Sequence, residues 1–127
     1  MAKNPKATRP LEYVAFLHLK MRVSNGFVFA FFAVDAFTGY AFSLDIEKEF
    51  TPEIVLKNIY FLCENPDFKE MNTNGFTLVM EDCEELSDRI KAIIRPENGR
   101  LMYNKAFNNL ISNPFLIGMS KYMLGKK

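Results

Sequence analysis

Apolar and polar positions alternate from Leu11 to Val23. Tyr13, Ala15, Leu17, Leu19, Met21 and Val23 face one way, while Glu12, His18, Lys20 and Arg22 lie among the residues facing the other. A period of two marks a strand, here with one buried face and with polar residues gathering toward its end. Ser24-Asn25-Gly26 supplies a tight hairpin turn, with Asn25-Gly26 as its expected centre. Phe27–Val34 is apolar at every position, which predicts a strand covered on both faces. Asp35-Ala36-Phe37-Thr38-Gly39 turns the chain again, and Tyr40, Phe42, Leu44 and Ile46 then alternate with Ala41, Ser43 and Asp45. Three antiparallel strands in meander order result. An Asn25-Gly26 turn sets Asp35 opposite Phe16, so its side chain shares the face of Phe16 and His18 and points away from Ala15. A carboxylate at this position is also well suited to accept N–H bonds within its own turn.

The period then changes. Thr51-Pro52-Glu53 starts a helix with a hydroxyl cap, a proline that loses no bond there, and an acid favoured by the helix dipole. Val55, Ile59 and Leu62, flanked by Leu56 and Cys63, form its apolar stripe, and Asn65-Pro66 ends it. Asn72-Thr73-Asn74-Gly75 is a loop, Phe76–Met80 a fourth strand, Leu86–Ile94 a short helix and Pro96–Gly99 a turn. Leu101–Ile111 is predicted to be helical, and Pro114 precedes a last apolar segment, Phe115–Leu124. The expected fold is α/β, an α+β mixed sheet with helices on both faces. It forms a single domain over residues 11–127, preceded by a flexible basic arm over residues 1–10.

Composition adds limits. A hydrophobic fraction of 49% over 127 residues is enough for a real core. Cys63 and Cys83 show neither CxxC nor Cys/His spacing, so buried free thiols in a reduced, cytoplasmic setting are expected. No apolar leader follows Met1 and no run is long enough to span a membrane, so no membrane partner is expected. Walker, GxGxxG, HExxH and zinc-spacing motifs are all missing from the sequence. Charge is divided unevenly: residues 35–97 hold 14 of the 15 acids but only 6 of the 16 basic groups. No acid occurs from Asn98 to Lys127, and Lys3, Lys6 and Arg9 sit near the other end. Basic ends of this kind suit nucleic-acid phosphates, DNA or RNA. Glu81, Asp82, Glu84, Glu85 and Asp88 suit either a cation or the first turn of a helix. His18 has no Ser or Cys partner motif and reads as a structural imidazole. Met119 and Met123 lie in an apolar tail that fits core packing or a homodimer interface.

A series of short strings resembles the catalytic core of retroviral integrases and related transposases. In that family a first strand reads Asp-x-Thr-His, a hairpin carries Asp-x-x-(Ser/Thr)-(Gly/Arg)-Tyr, and a helix opens with Thr-x-Glu. A fourth strand then ends in Asp-Asn-Gly, and a late Pro-Gln-x-x-Gly-x-x-Glu helix closes on Asn-Lys. Here Ala15-Phe16-Leu17-His18 takes the first place, and Asp35-Ala36-Phe37-Thr38-Gly39-Tyr40 matches the hairpin. Thr51-Pro52-Glu53 opens the helix, and Met80-Glu81-Asp82-Cys83-Glu84 stands at the fourth strand. Pro96 to Lys105 looks like the last motif, one residue short. The resemblance covers about residues 12–110 and implies a ribonuclease H-like fold, three meander strands followed by helix–strand–helix units.

The resemblance also implies chemistry, and the departures bear on it. Such enzymes use three carboxylates to hold two divalent cations, magnesium or manganese. At the first position this chain has Ala15, which cannot ligate, and at the third it has Met102, whose thioether suits softer metals. Asp82 alone remains, with Asp35 and Glu81 as neighbouring candidates for a rearranged metal or catalytic set. The leading expectation is therefore an integrase-core-like domain that has lost its catalytic acids, of mobile-element type and not an enzyme. It would bind nucleic acid or serve as an assembly module, with Lys20, Arg22, Arg100 and Lys105 as candidate phosphate contacts and without a cofactor. Two other readings stay open. One is a metal-dependent nuclease or recombinase built on Asp82 and Asp35. The other is a protein-interaction or small-ligand domain on the same scaffold.

Overall fold

The computed structural model describes residues 7–81 and 83–103. Their core is a five-stranded mixed sheet. β1 (Tyr13–Val23), β2 (Gly26–Asp35) and β3 (Ala41–Glu47) form the meander. α1 (Pro52–Glu64) and α2 (Pro66–Met71) lead to β4 (Phe76–Met80), and α3 (Ser87–Ile94) leads to β5 (Gly99–Tyr103). The strand order is β3-β2-β1-β4-β5. β4 runs parallel to β1, and β5 parallel to β4.

Local chemistry explains the helix boundaries. The Thr51 hydroxyl accepts from Ile54 N at 3.2 Å and Pro52 occupies the first turn of α1, as its sequence requires. Asn65 ends α1 and caps α2, its Oδ1 accepting from the amides of Asp67 and Phe68 at 2.9 and 3.1 Å. Val55, Leu56, Ile59, Leu62 and Cys63 are buried along α1, the expected stripe. The same helix buries a polar residue, Asn58. Its Nδ2 donates to Ile54 O and to the Glu47 carboxylate, and its Oδ1 accepts from Asp45 N at 3.0 Å, which ties α1 to β3.

Two apolar clusters lie on the two faces of the sheet. The larger joins Val14, Phe16, Phe31, Ala33, Leu78 and Met80 to α1, α2 and α3. The smaller joins Ala15, Leu17, Phe32, Val34 and Val79, with Tyr13, Leu19 and Met102 packed against it. Helices were expected on both faces, but the described helices all pack into the larger cluster.

Three sequence expectations need correction. β1 is buried at every position from Val14 to Leu17 and not on one face alone, because it is the central strand. The first hairpin turns at Ser24-Asn25, with Val23 opposite Gly26. Gly26, at φ 128°, is the only one of the three with positive φ, so the glycine follows the turn instead of forming its second half. Asp35 therefore pairs with Val14 and not with Phe16, a shift of two residues that keeps it on the same face. Gly99–Tyr103 is strand where Leu101 was expected to begin a helix; positions 104–111 lie outside the described residues. Five paired positions along the open edge of β4 outweigh the local helical pattern there.

Asp35 is fully buried. Its carboxylate accepts from the amides of Leu11 (2.9 Å), Phe37 (3.3 Å) and Thr38 (3.2 Å), and from the Thr38 hydroxyl (2.7 Å). Substituting Asp35→Ala strands these donors, and urea unfolding should show a loss of about 3 kcal/mol. Asp35→Asn should also destabilise, because its amide NH2 would face donors. A loss below about 1 kcal/mol in the alanine variant would contradict this role.

Candidate functional site

The sheet brings two of the three implied carboxylate positions, Ala15 and Met102, into one row. Ala15 pairs with Val79, and Val79 pairs with Met102, across three adjacent parallel strands. Paired residues of neighbouring strands point to the same face, so these side chains stand side by side in the smaller apolar cluster. Ala15 and Val79 are fully buried. A hard divalent cation needs oxygen ligands, and this row offers none. Met102 lies on β5 and not on a helix, which corrects the reading of Pro96–Lys105 as a helical motif.

Of the remaining candidate acids, Asp35 and Glu81 do not converge. Asp35, at the level of Val14 on β2, spends its carboxylate on four hydrogen bonds. Glu81 follows β4 and is exposed. Strand geometry sets the two backbones about 10 Å apart along the strands and about 10 Å apart across them. Asp82 lies outside the described residues. Among the described residues no group of three His, Cys, Asp or Glu side chains could hold a metal ion. Among the described residues the donors therefore do not assemble into an oxygen set for magnesium or manganese.

The basic candidates also separate. Lys20 and Arg22 are exposed near the β1–β2 turn, with Lys20 Nζ 4.4 Å from the Phe27 ring centroid. Arg100 is exposed at the start of β5, where it pairs with Thr77, itself paired with Tyr13. Seven residues of β1 divide that level from Lys20, about 23 Å, and the two residues point to opposite faces. Lys105 lies outside the described residues. Near Arg100 the structure places Arg9, named in the sequence only as part of the basic N-terminal end, and Arg95, which the local motifs did not single out. The available signal was the repeated Asn-Gly before β4 and β5, at Asn74-Gly75 and Asn98-Gly99.

On the helix face of the sheet, a cavity of about 280 Å³ is lined by Phe16, Phe31, Phe50, Met80 and Leu86, with His18, Glu81 and Glu85. His18 lies within an aromatic group, its ring centroid 4.4 Å from Phe50, 5.9 Å from Phe31 and 6.4 Å from Phe29. Burial lowers its pKa, and the negative charge of Glu81 opposes that shift more weakly. The imidazole is thus a packed, neutral ring, without a nucleophile beside it in the cavity lining except Cys83. The other thiol, Cys63, is pushed up to about 12, first by burial, which leaves it inert at neutral pH. Among the described residues no helix is long and apolar enough to cross a membrane.

The lowered pKa of His18 fixes the sign of a pH effect. The unfolded imidazole takes up its proton around 6.5, whereas the folded one resists protonation until lower pH. The unfolded state therefore binds more protons in that interval, and stability falls as pH drops through it. The melting temperature should decline between about pH 7.5 and about pH 5.5, and less steeply in His18→Phe. Equal slopes in the two proteins would contradict the assignment.

Comparison with known proteins gives one kind of likeness. No family model matches the sequence, and no curated protein matches it. Among solved structures, the fold is similar to a chain in the simian T-cell lymphotropic virus intasome, determined by cryo-electron microscopy in complex with PP2A regulatory subunit B56 gamma. The TM-score is 0.62 at 11% sequence identity. The match covers 95% of this chain and 40% of the other, so this chain spans less than half the length of its structural neighbour. At that identity the likeness is one of fold.

Proposed function

We propose that this chain is a ribonuclease H-like, integrase-core-like domain without a working metal site, and that it acts by binding nucleic acid within an assembly. The observation that carries this reading is the apolar row Ala15–Val79–Met102. Two of its members occupy the places where the sequence resemblance implies metal-binding carboxylates. The loss does not depend on the alignment of the last motif, because no acid exists anywhere from Asn98 to Lys127. The stretch from β5 to Lys127 therefore supplies no third carboxylate.

Strand order, the meander and the likeness to an intasome chain support the fold half of the proposal. Charge supports the binding half: the chain is acid-rich in its middle and basic at its ends. The likeness to a chain from a viral intasome also favours a role within an assembly. Cleavage is disfavoured by the donor set, since Asp35 is engaged by four donors and the row has no oxygen ligand.

One experiment separates binding from cleavage. The full chain is titrated against labelled DNA and RNA at several salt concentrations, and in parallel incubated with plasmid and Mn²⁺. The proposal expects binding whose affinity falls linearly on a log–log salt plot, with the plasmid left intact. Binding to neither nucleic acid would overturn it. Plasmid cleavage that disappears in Asp82→Ala would replace it with the metal-dependent nuclease reading.

A further inference from the structure

The loops that begin β4 and β5 meet at one end of the sheet. Phe76 N donates to Asn98 O at 3.5 Å, and Asn72 Nδ2 donates to Glu97 O at 2.8 Å. The approach is close enough to require glycine at two places. Gly75, at φ 82°, would bring an added Cβ to 2.9 Å from Asn98 O. At Gly99 an added Cβ would lie 2.7 Å from both Ile94 and Phe76. Asn98, at φ 58°, takes the left-handed conformation that turns the chain into β5.

Beside this junction lies a polar cavity of about 490 Å³ lined by Arg9, Arg95 and Arg100, among others. No acidic residue lines it. Arg9 is held in place by carbonyls: Nη1 donates to Pro10 O at 3.2 Å and to Gly75 O at 3.1 Å, and Nη2 to Asn74 O at 3.2 Å. A guanidinium has five N–H donors, so two remain for a ligand. Arg95 and Arg100 are exposed and form no ion pair among the described residues. Of the neighbouring acids, Glu12 accepts from the amide and hydroxyl of Thr8 and also attracts the charge of Arg9, while Glu97 does not line the cavity. Three guanidinium groups around one cavity repel one another unless an anion sits between them.

We infer that this cleft is a phosphate-binding site that seats the phosphodiester backbone of a nucleic acid. The inference rests on the proposed nucleic-acid role and gives it a location. Guanidinium forks match phosphate oxygens in pairs, and a pre-anchored Arg9 loses little freedom on binding. The cleft suits a polyanion better than a lone phosphate because its wall begins the acid-free stretch from Asn98 to Lys127, which carries four basic charges beyond Arg100.

The test uses the full chain, a short labelled DNA duplex and fluorescence anisotropy across a salt series. Arg95→Ala with Arg100→Ala should weaken binding by about tenfold and lower the log–log salt slope by roughly 2. Arg95→Lys with Arg100→Lys should keep most of the slope, because the charges stay. Thermal melts matching wild type would show that the exposed substitutions leave the fold intact. If the alanine pair keeps its affinity and slope while Lys20→Ala with Arg22→Ala loses them, the cleft assignment is wrong and the nucleic-acid role survives elsewhere. Wild-type protein that binds no duplex or single strand overturns both. Calorimetry with inorganic phosphate decides the remaining case: saturation by phosphate without any oligonucleotide binding makes the cleft a small-anion site and overturns the inference.

Discussion

The carboxylate of Asp35 ties the segment that leads into β1 to the turn that leads into β3. It receives the amide of Leu11, where the chain leads into β1, and the amides and hydroxyl of the turn that leads into β3. Backbone bonds close the same knot: Asp35 N donates to Tyr40 O, Ala36 N to Tyr13 O, and Gly39 N to Asp35 O. The start of β1, the end of β2 and the β2–β3 turn are therefore fixed together. That fixes register, and in a sheet register decides faces. A slip of one residue would send His18 and Phe16 to the other face and bring Ala15 into the larger cluster. Leu11 is fully buried at φ 62°, a conformation few leucines adopt, and its amide bond to Asp35 helps hold it there.

With the faces fixed, the two sides of the sheet have different characters. One packs against α1, α2 and α3 and holds the neutral ring of His18 among aromatic neighbours. The other carries the row of Ala15, Val79 and Met102, with Arg100 one pair of residues earlier along β5. The place where the resemblance implies metal chemistry is thus apolar core, and Arg100, which forms no ion pair among the described residues, lies next to it on the same face.

Much of this was legible because the signals are local. The meander, α1 with its Thr51 cap, and β4 follow from hydrophobic period and turn chemistry within a few residues. The turn role of Asp35 is written in Asp-x-x-Thr-Gly, since a short carboxylate there reaches the next amides. What was missed depends on partners distant in sequence. Leu101–Tyr103 is short and apolar enough for helix or strand, and only the open edge of β4 selects strand. The burial of β1 on both faces follows from its central place, which no residue of β1 encodes alone. The arginine cleft joins Arg9 to Gly75, 66 residues apart, so no string of neighbouring residues announces it. The hairpin turn was misplaced by one residue because Asn-Gly most often forms the turn itself, whereas here Gly26 follows it.

The central claim is that the row at Ala15 is packed core and not a metal site lacking one ligand. Thermal melting of Ala15→Asp, with and without millimolar Mn²⁺, tests it directly. If the claim holds, a carboxylate buried among Val79, Phe32 and Met102 destabilises the fold by several kcal/mol, and Mn²⁺ restores none of it. A variant that melts near the wild-type temperature and is raised further by Mn²⁺ would contradict the claim.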